Sequence, residues 1–229
     1  MTGWLRVLVT LLVLQALPAL AEGPQAPREF APKAGKGRVV VLVSGQTGPT
    51  NYTELSGSLA AAGFDVFLVD GNDYWLKGGG GEELLKGVIA QARQSPNALP
   101  GKIGVVGCSL GGASALTYAT RWPDDVAAVV THYPATSYVK HPDPFVARIK
   151  VPTLVLAGTF DDYKGCCLIE TARQLEQASK NGPAPAMLEL HEYPGADHGF
   201  STDNAKRRDV VADALKRTVE HLQKYLGPS

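Results

Sequence analysis

The sequence predicts an α/β protein of three layers, in which helices cover both faces of a mostly parallel sheet. Short runs rich in β-branched and apolar residues recur along the chain, and segments with helical spacing separate them. This alternation is typical of parallel strands joined by helical crossovers. The predicted strands are 38–43, 65–69, 103–106, 126–131, 153–157 and 187–192, and the predicted helices are 52–62, 82–93, 110–121, 168–179 and 206–226.

Residues 1–21 have the pattern of a signal peptide. Arg6 lies in a short basic region, an apolar run follows, and small residues precede a predicted cleavage after Ala21. The apolar run contains Gln15 and Pro18 and is too short for a comfortable membrane span, so we expect no stable membrane anchor. The sequence therefore predicts an exported protein, periplasmic or secreted.

Beyond the signal, the chain predicts one domain. Residues 22–36 are rich in Pro, Ala and Gly and are predicted to be an exposed leader without its own structure. Residues 37–229 suffice for one buried core and are too few for two full domains. The 22 basic and 22 acidic residues give a net charge of 0, so no charge pattern indicates nucleic-acid binding. We expect a monomer or a homodimer.

Three cysteines are present: Cys108, Cys166 and Cys167. An odd count leaves at least one thiol unpaired within a monomer. The sequence leaves open whether Cys166 or Cys167 is bridged to Cys108 or whether a free thiol lies near the site. No C-x-x-C or histidine-rich spacing is present, so the sequence predicts no metal site.

Residues 107–111 read G-C-S-L-G and lie between a predicted strand and a predicted helix. In that setting G-x-S-x-G is a nucleophile elbow, which exposes the central serine at the edge of the sheet. A side chain in place of either glycine would collide with the neighbouring strand or helix. Ser109 is therefore the candidate nucleophile, with a chance match in a glycine-rich turn as the alternative.

A serine nucleophile needs a base and an acid that orients the base. Asp161 and Asp162 follow the strand 153–157, and His198 lies in a glycine-flanked loop after the last strand. The order Ser, Asp, His is that of the α/β-hydrolase triad. The alternatives are that the aspartates cap the following helix and that His198 is an ordinary surface residue.

Three segments resemble a known family: V-V-G-C-S-L-G-G, V-P-T-L-V-L-A-G-T-F-D-D and Y-P-G-A-D-H-G-F. From about residue 37 to the last helix, the chain resembles dienelactone hydrolase-like members of the α/β-hydrolase superfamily. The resemblance implies that fold without a large cap domain, Ser109 as nucleophile, Asp161 as acid, with Asp162 as a lesser alternative, and His198 as base. The founding enzymes of the family use cysteine in G-x-C-x-G, whereas here Cys108 stands one position earlier and is expected to face the packing.

Acyl transfer also needs donors for the oxyanion and a pocket for the substrate. The backbone amides of Leu110 and of Gln46, in the loop after the first predicted strand, are the candidate donors. The alternative is that the Gln46 loop is only a glycine-rich turn. Tyr74, Tyr133 and Tyr163 fall near the predicted carboxyl-end loops and are candidate substrate-binding residues, unless they serve local packing.

These observations predict an exported serine hydrolase that cleaves small carboxylic esters or lactones through an acyl-enzyme, with no cofactor. A small-molecule ester or lactone is the expected partner. Two alternatives stay open at this point. The same triad serves amides and thioesters, which includes peptidase activity, and the same fold also occurs as a non-catalytic binding module.

Overall fold

The computed structural model describes residues 25–75, 80–182, 185–200 and 204–227. The strands are β1 Arg28–Phe30, β2 Val39–Val43, β3 Asp65–Val69, β4 Ile103–Cys108, β5 Val126–His132, β6 Thr153–Gly158 and β7 Leu188–Tyr193. The helices are α1 Thr53–Ala61, α2 Gly71–Tyr74, α3 Gly81–Ala92, α4 Leu110–Thr117, α5 Pro142–Val146, α6 Ile169–Asn181 and α7 Asn204–Leu226.

The strands form one sheet of seven in the order β1-β3-β2-β4-β5-β6-β7. Every pairing from β3 to β7 is parallel, and only β1 is antiparallel to its neighbour. All five residues of β2 and all six of β4 are buried, as continuous apolar strands covered on both faces must be. The predicted α/β fold with a mostly parallel sheet is confirmed.

Alternate residues of the strands bury against different helices. Val40 and Leu42 face a cluster that includes Leu222 of α7, together with side chains of α1. Val41 lies on the opposite face, in a cluster with Leu85 of α3. Because successive side chains of a strand point to opposite faces, an all-apolar strand requires helices on both sides.

The predicted leader requires one correction. Residues 28–30 form β1, an edge strand whose Arg28 pairs with Leu68 of β3. A strand at the edge of a sheet offers unpaired backbone groups, which an exposed segment can satisfy without an apolar pattern of its own. Composition therefore did not indicate this strand. The predicted signal peptide, 1–21, lies outside the described residues.

The helices α2 and α5 were not predicted, and α4 is shorter than predicted. The helix α2 has four residues and α5 has five, which is too few to show helical spacing in a sequence. The predicted helix 110–121 divides into α4 and a 3-10 turn at Ala119–Arg121. The short α5 lies in the segment between β5 and β6, and no large cap covers the sheet edge within the described ranges.

No helix of the described residues is long and apolar enough to cross a membrane.

Candidate active site

Ser109 lies in a tight turn between β4 and α4. Its φ of 51° and ψ of −113° are a strained combination for a residue with a side chain. A Cβ at Gly107 would lie 2.8 Å from the Cβ of Ala115 and would collide with the carbonyl oxygen of Gly111. A Cβ at Gly111 would collide with the carbonyl oxygen of Val43 in β2. The glycines let strand and helix approach closely, as the motif predicts.

Two hydrogen bonds join Ser109, His198 and Asp161 in a chain. The Nε2 atom of His198 lies 3.0 Å from the Ser109 Oγ, and its Nδ1 atom lies 2.9 Å from the Asp161 Oδ2. In the tautomer whose Nδ1–H donates to Asp161, Nε2 accepts the hydroxyl proton of Ser109. The predicted residues are separated by tens of positions in sequence, and the ends of β4, β6 and β7 bring them together.

The structure distinguishes the two candidate acids. Asp161 is 2% exposed, and its Oδ1 atom accepts a hydrogen bond of 3.2 Å from the Tyr163 amide. Asp162 is exposed, and it makes no bond with His198. Asp161 therefore has the geometry of the orienting acid, and the lesser alternative, Asp162, does not.

The loop that holds Gln46 lies against the nucleophile. A Cβ built on Gly45 would be 3.1 Å from the Cβ of Ser109. Among the described residues, neither the Gln46 amide nor the Leu110 amide donates to another group. Leu110 is the first residue of α4, where amides have no acceptor within the helix. Both amides therefore lack an acceptor among the described residues, as donors to an oxyanion require.

Tyr163 and Tyr133 both contact His198. The Tyr163 ring stacks on the imidazole at 4.5 Å between centroids and 9° between planes, and its Oη accepts a 2.6 Å hydrogen bond from Gln46 Nε2. The Tyr133 ring meets the imidazole edge-on at 5.0 Å. The sequence did not indicate the side-chain role of Gln46, because its partner lies 117 positions away.

Tyr74, the third tyrosine, does not line the site. It is 2% exposed and packs in the core with Val69, Leu85 and Ile89. The short helix α2 turns the ring inward, and burial raises its pKa to about 12. Its candidate role as a substrate-binding residue is therefore corrected to core packing.

The sequence left open a bridge from Cys108 to one of the other two cysteines, which is not formed, and a free thiol near the site, which Cys108 is. Cys166 and Cys167, adjacent in the chain, form a disulfide, and Cys108 is a free thiol. Cys108 is fully buried, and burial raises its pKa to about 12. A thiol in this state is a poor nucleophile, because the thiolate is the reactive form. Cys108 therefore belongs to the packing behind the elbow, as expected.

His132 is the other histidine near the carboxyl end of the sheet. It is 4% exposed, its Nε2 lies 2.8 Å from the Thr218 hydroxyl, and burial lowers its pKa to about 4. Its ring contacts that of Phe200, and it meets Ser109 only through the backbone, where the His132 carbonyl accepts a 3.0 Å hydrogen bond from the Ser109 amide. Among the described residues, His198 is therefore the histidine whose ring reaches the Ser109 hydroxyl.

A cavity of about 550 Å³ lies next to the triad, although neither Ser109 nor His198 lines it. Its walls include Tyr133, Gly199 and Phe200, next to His198, and Leu55 of α1. This volume lies within the range of roughly 300 to 1,000 Å³ for small-molecule sites. The arrangement combines a serine hydroxyl hydrogen-bonded to an imidazole with backbone amides that have no acceptor among the described residues, which are parts that acyl transfer needs.

Comparisons with known proteins match this chain in sequence and in fold. The sequence profile of the dienelactone hydrolase family matches residues 79–226. A carboxymethylenebutenolidase from Rhodococcus opacus is 29% identical over 217 residues, which cover 84% of this chain and 83% of that protein.

Solved structures share the fold at lower identity. A Klebsiella pneumoniae protein assigned to the dienelactone hydrolases superposes with a TM-score of 0.69 at 20% identity, over 89% of this chain and 98% of that one. Est1E from Butyrivibrio proteoclasticus superposes with a TM-score of 0.66 at 15% identity, over 87% of this chain and 99% of that one.

Proposed function

Because the chain belongs to the dienelactone hydrolase family and is a hydrolase acting on ester bonds, we propose that it is an exported serine hydrolase of small carboxylic esters or lactones. The observation that carries this proposal is the unbroken chain of hydrogen bonds from Ser109 through His198 to Asp161. A binding module has no need for such an arrangement behind a strained serine.

In the proposed mechanism, His198 Nε2 takes the hydroxyl proton as Ser109 Oγ attacks the ester carbonyl carbon. Asp161 holds the imidazole in the required tautomer and stabilises the imidazolium that forms. The amides of Leu110 and Gln46 donate to the oxyanion, and the protonated His198 then gives its proton to the leaving alcohol. Water attacks the acyl-enzyme by the same route and releases the acid.

The proposed substrate class rests on the open edge of the sheet around Ser109 and on the relatives of the chain. The segment between β5 and β6 carries only the short α5 among the described residues, and an edge without a large cap favours small, accessible substrates over long acyl chains. The name of the Rhodococcus relative denotes action on a butenolide, a cyclic ester, which supports including lactones. Serine in place of the family's founding cysteine favours ordinary ester hydrolysis.

The first experiment is the intact mass of the protein after treatment with a fluorophosphonate. We expect one adduct on the wild type and none on Ser109→Ala. The matched control is Cys108→Ser, which keeps the hydroxyl nucleophile and should still label. Absence of an adduct on folded wild type would contradict the triad mechanism and favour a binding module.

A second assay addresses the acyl group. Matched acetyl compounds with phenol, thiophenol and aniline leaving groups separate ester, thioester and amide hydrolysis. We expect the aryl ester to give the highest kcat/KM and Ser109→Ala to abolish all measurable turnover above roughly 10³ times the rate in water. A higher kcat/KM for the anilide would overturn the proposed ester preference.

Export is tested separately from catalysis. The full chain is expressed in a bacterium, and the mass of the protein in the periplasm and medium is measured. We expect a chain that begins at Glu22, since cleavage is predicted after Ala21. A chain retained in the cytoplasm with residues 1–21 attached would contradict this part of the proposal.

A further inference from the structure

The disulfide between Cys166 and Cys167 lies close to the candidate base, His198. The Sγ atoms of Cys166 and Cys167 and one ring nitrogen of His198 all lie within 4.8 Å of one another. Cys167 is 3% exposed, whereas Cys166 is half-buried and gives the bond a route to solvent. The proposed ester hydrolysis makes no use of this pair of sulfur atoms.

We propose that reduction of this disulfide creates a binding site for a thiophilic divalent cation such as Zn²⁺, formed by Cys166, Cys167 and His198. The bound cation switches off the triad. The binding site stands on the geometry of these three residues, and only its effect on rate rests on the proposed function.

The set of donor atoms suits zinc. Two thiolates, one imidazole nitrogen and a water complete the four-coordinate shell that zinc prefers. In such a shell neighbouring donor atoms are about 3.5 to 3.8 Å apart, as follows from Zn–S and Zn–N bonds of about 2.3 and 2.0 Å. Once the disulfide is reduced, the two sulfur atoms must move apart to this separation, and the imidazole nitrogen, which lies within 4.8 Å of both, must approach them by about 1 Å.

Backbone contacts hold the cysteine segment in place independently of the disulfide. The Cys166 carbonyl accepts hydrogen bonds from the Thr136 amide at 2.8 Å and the Ser137 amide at 2.9 Å. The Cys166 amide donates to the Tyr163 carbonyl at 2.9 Å. Because none of these bonds involves sulfur, reduction leaves the two thiols beside His198.

A cation on His198 stops the proposed reaction whichever ring nitrogen it uses. The Nε2 atom is needed to accept the Ser109 proton, and the Nδ1 atom is needed to bond with Asp161. A ring nitrogen that donates its lone pair to a metal can no longer make its own hydrogen bond, whether that bond is to Ser109 or to Asp161. Metal binding therefore removes either the base or its orientation.

The chemistry of the switch is balanced. A dithiol supplies two electrons and two protons to the Cys166–Cys167 bond, becomes a disulfide itself, and leaves two protein thiols. Zinc then displaces two thiol protons, since the thiolate is the ligand. The oxidised pair has no thiolate, so only the reduced protein offers the site. The spacing rules for zinc sites missed it because the histidine lies 31 residues after Cys167.

The test compares oxidised and reduced full-length protein. A phosphine reduces the disulfide and is removed by desalting under argon, and Zn²⁺ is then titrated against a chromophoric chelator while fluorophosphonate labelling is timed. We expect the reduced wild type to bind one equivalent of Zn²⁺ and to label at least about tenfold more slowly, with recovery on adding a chelator. Oxidised protein should show neither effect.

Three variants make the test specific. Cys166→Ser, and as a second choice Cys167→Ser, should lose both Zn²⁺ binding and the Zn²⁺ effect on labelling. Cys108→Ser removes the other thiol of the chain and should behave as the reduced wild type does. His198→Asn should weaken Zn²⁺ binding by at least about tenfold, which assigns the imidazole as a ligand.

Equal Zn²⁺ binding in both redox states, or no binding to the reduced protein, would overturn the inference. So would slow labelling after reduction alone, because that result assigns control to the disulfide rather than to a metal. If Zn²⁺ binds as expected but no form of the protein labels, the cation site stands and the proposed function fails. If the protein labels normally but the reduced form binds no Zn²⁺, the proposed function stands and the cation site fails.

Discussion

Two aspartates, Asp161 and Asp65, are both buried beside the sheet, and they differ in what surrounds them. Asp161 follows the carboxyl end of β6, and its two oxygens bond with the His198 ring and the Tyr163 amide. Asp65 opens β3 at the other end of the sheet and is fully buried. Neither of its carboxylate oxygens has a hydrogen-bond partner among the described residues.

The two surroundings have opposite consequences. Burial, with a smaller contribution from the nearby Glu29 carboxylate, raises the pKa of Asp65 to about 6 against the opposing effect of the Ser95 hydroxyl, so its charge at neutral pH is unfavourable. Asp161 instead lies where loops from several parallel strands meet, and it has donors for both oxygens. Burial alone therefore does not identify a functional carboxylate, whereas the hydrogen-bond donors around the carboxylate do.

The largest effect is expected from breaking the acid. Asp161→Asn keeps the size of the side chain but favours the wrong tautomer of His198, so kcat/KM for a small aryl ester should fall by about 10³- to 10⁴-fold. Steady-state kinetics measure this change. Asp65→Asn is the matched control, and it should leave kcat/KM unchanged. An equal loss in both variants would show that Asp161 acts through the fold.

The same pair predicts a difference in stability. Asp65→Asn removes an unpaired buried charge and should raise the free energy of unfolding at pH 7.5 by about 1 to 3 kcal/mol. Asp161→Asn removes a hydrogen-bonded carboxylate and should not stabilise the protein. Urea unfolding followed by circular dichroism measures both. A destabilised Asp65→Asn would mean that its carboxylate has a favourable partner.

The pH dependence of stability isolates Asp65 further. Its pKa is about 6 in the folded protein and 3.8 in the unfolded chain, so the folded state retains the proton at intermediate pH. The contribution of this residue is therefore most favourable below pH 4 and is lost as pH rises to 6. We expect the free energy of unfolding of the wild type, minus that of Asp65→Asn, to fall by about 1 to 3 kcal/mol as the pH rises through that window. A flat difference would contradict the raised pKa.

The smallest effect is expected at the Tyr163 side chain, whose backbone amide donates to Asp161. Tyr163→Phe removes the hydrogen bond from Gln46 but retains the stacked ring and the amide that donates to Asp161. We expect kcat/KM to fall by less than about tenfold, in line with the loss of one half-exposed hydrogen bond. Tyr163→Ala, which also removes the stack, should lose more. Equal kinetics for both variants would assign no positioning role to this ring.

The sequence was sufficient for features that local chemistry controls. The runs of valine and leucine predicted β2 to β7 within two residues at each end, because a strand buried on both faces must be apolar throughout. The glycines of the elbow predicted the turn at Ser109. The position of Asp161 and His198 after successive strands predicted their meeting, since parallel strands end at one edge.

Other features depend on partners far away in the chain. The strand β1 exists because β3 has a free edge, and the leader carries no pattern that shows it. Tyr74 is drawn into the core by α2, a helix too short to leave a periodic signal. The sequence did not predict that the adjacent Cys166 and Cys167 pair with each other, because it gives no distances between sulfur atoms.

The sequence by itself determined the fold class and predicted Ser109, His198 and a pair of possible acids for the candidate triad, because each depends on a local pattern placed at the end of a strand. Only the tertiary structure decided that Asp161 rather than Asp162 meets His198, that Gln46 bonds with Tyr163, and that a disulfide lies within reach of the base. These are matters of a few ångströms between loops, and they follow from packing that no single segment encodes.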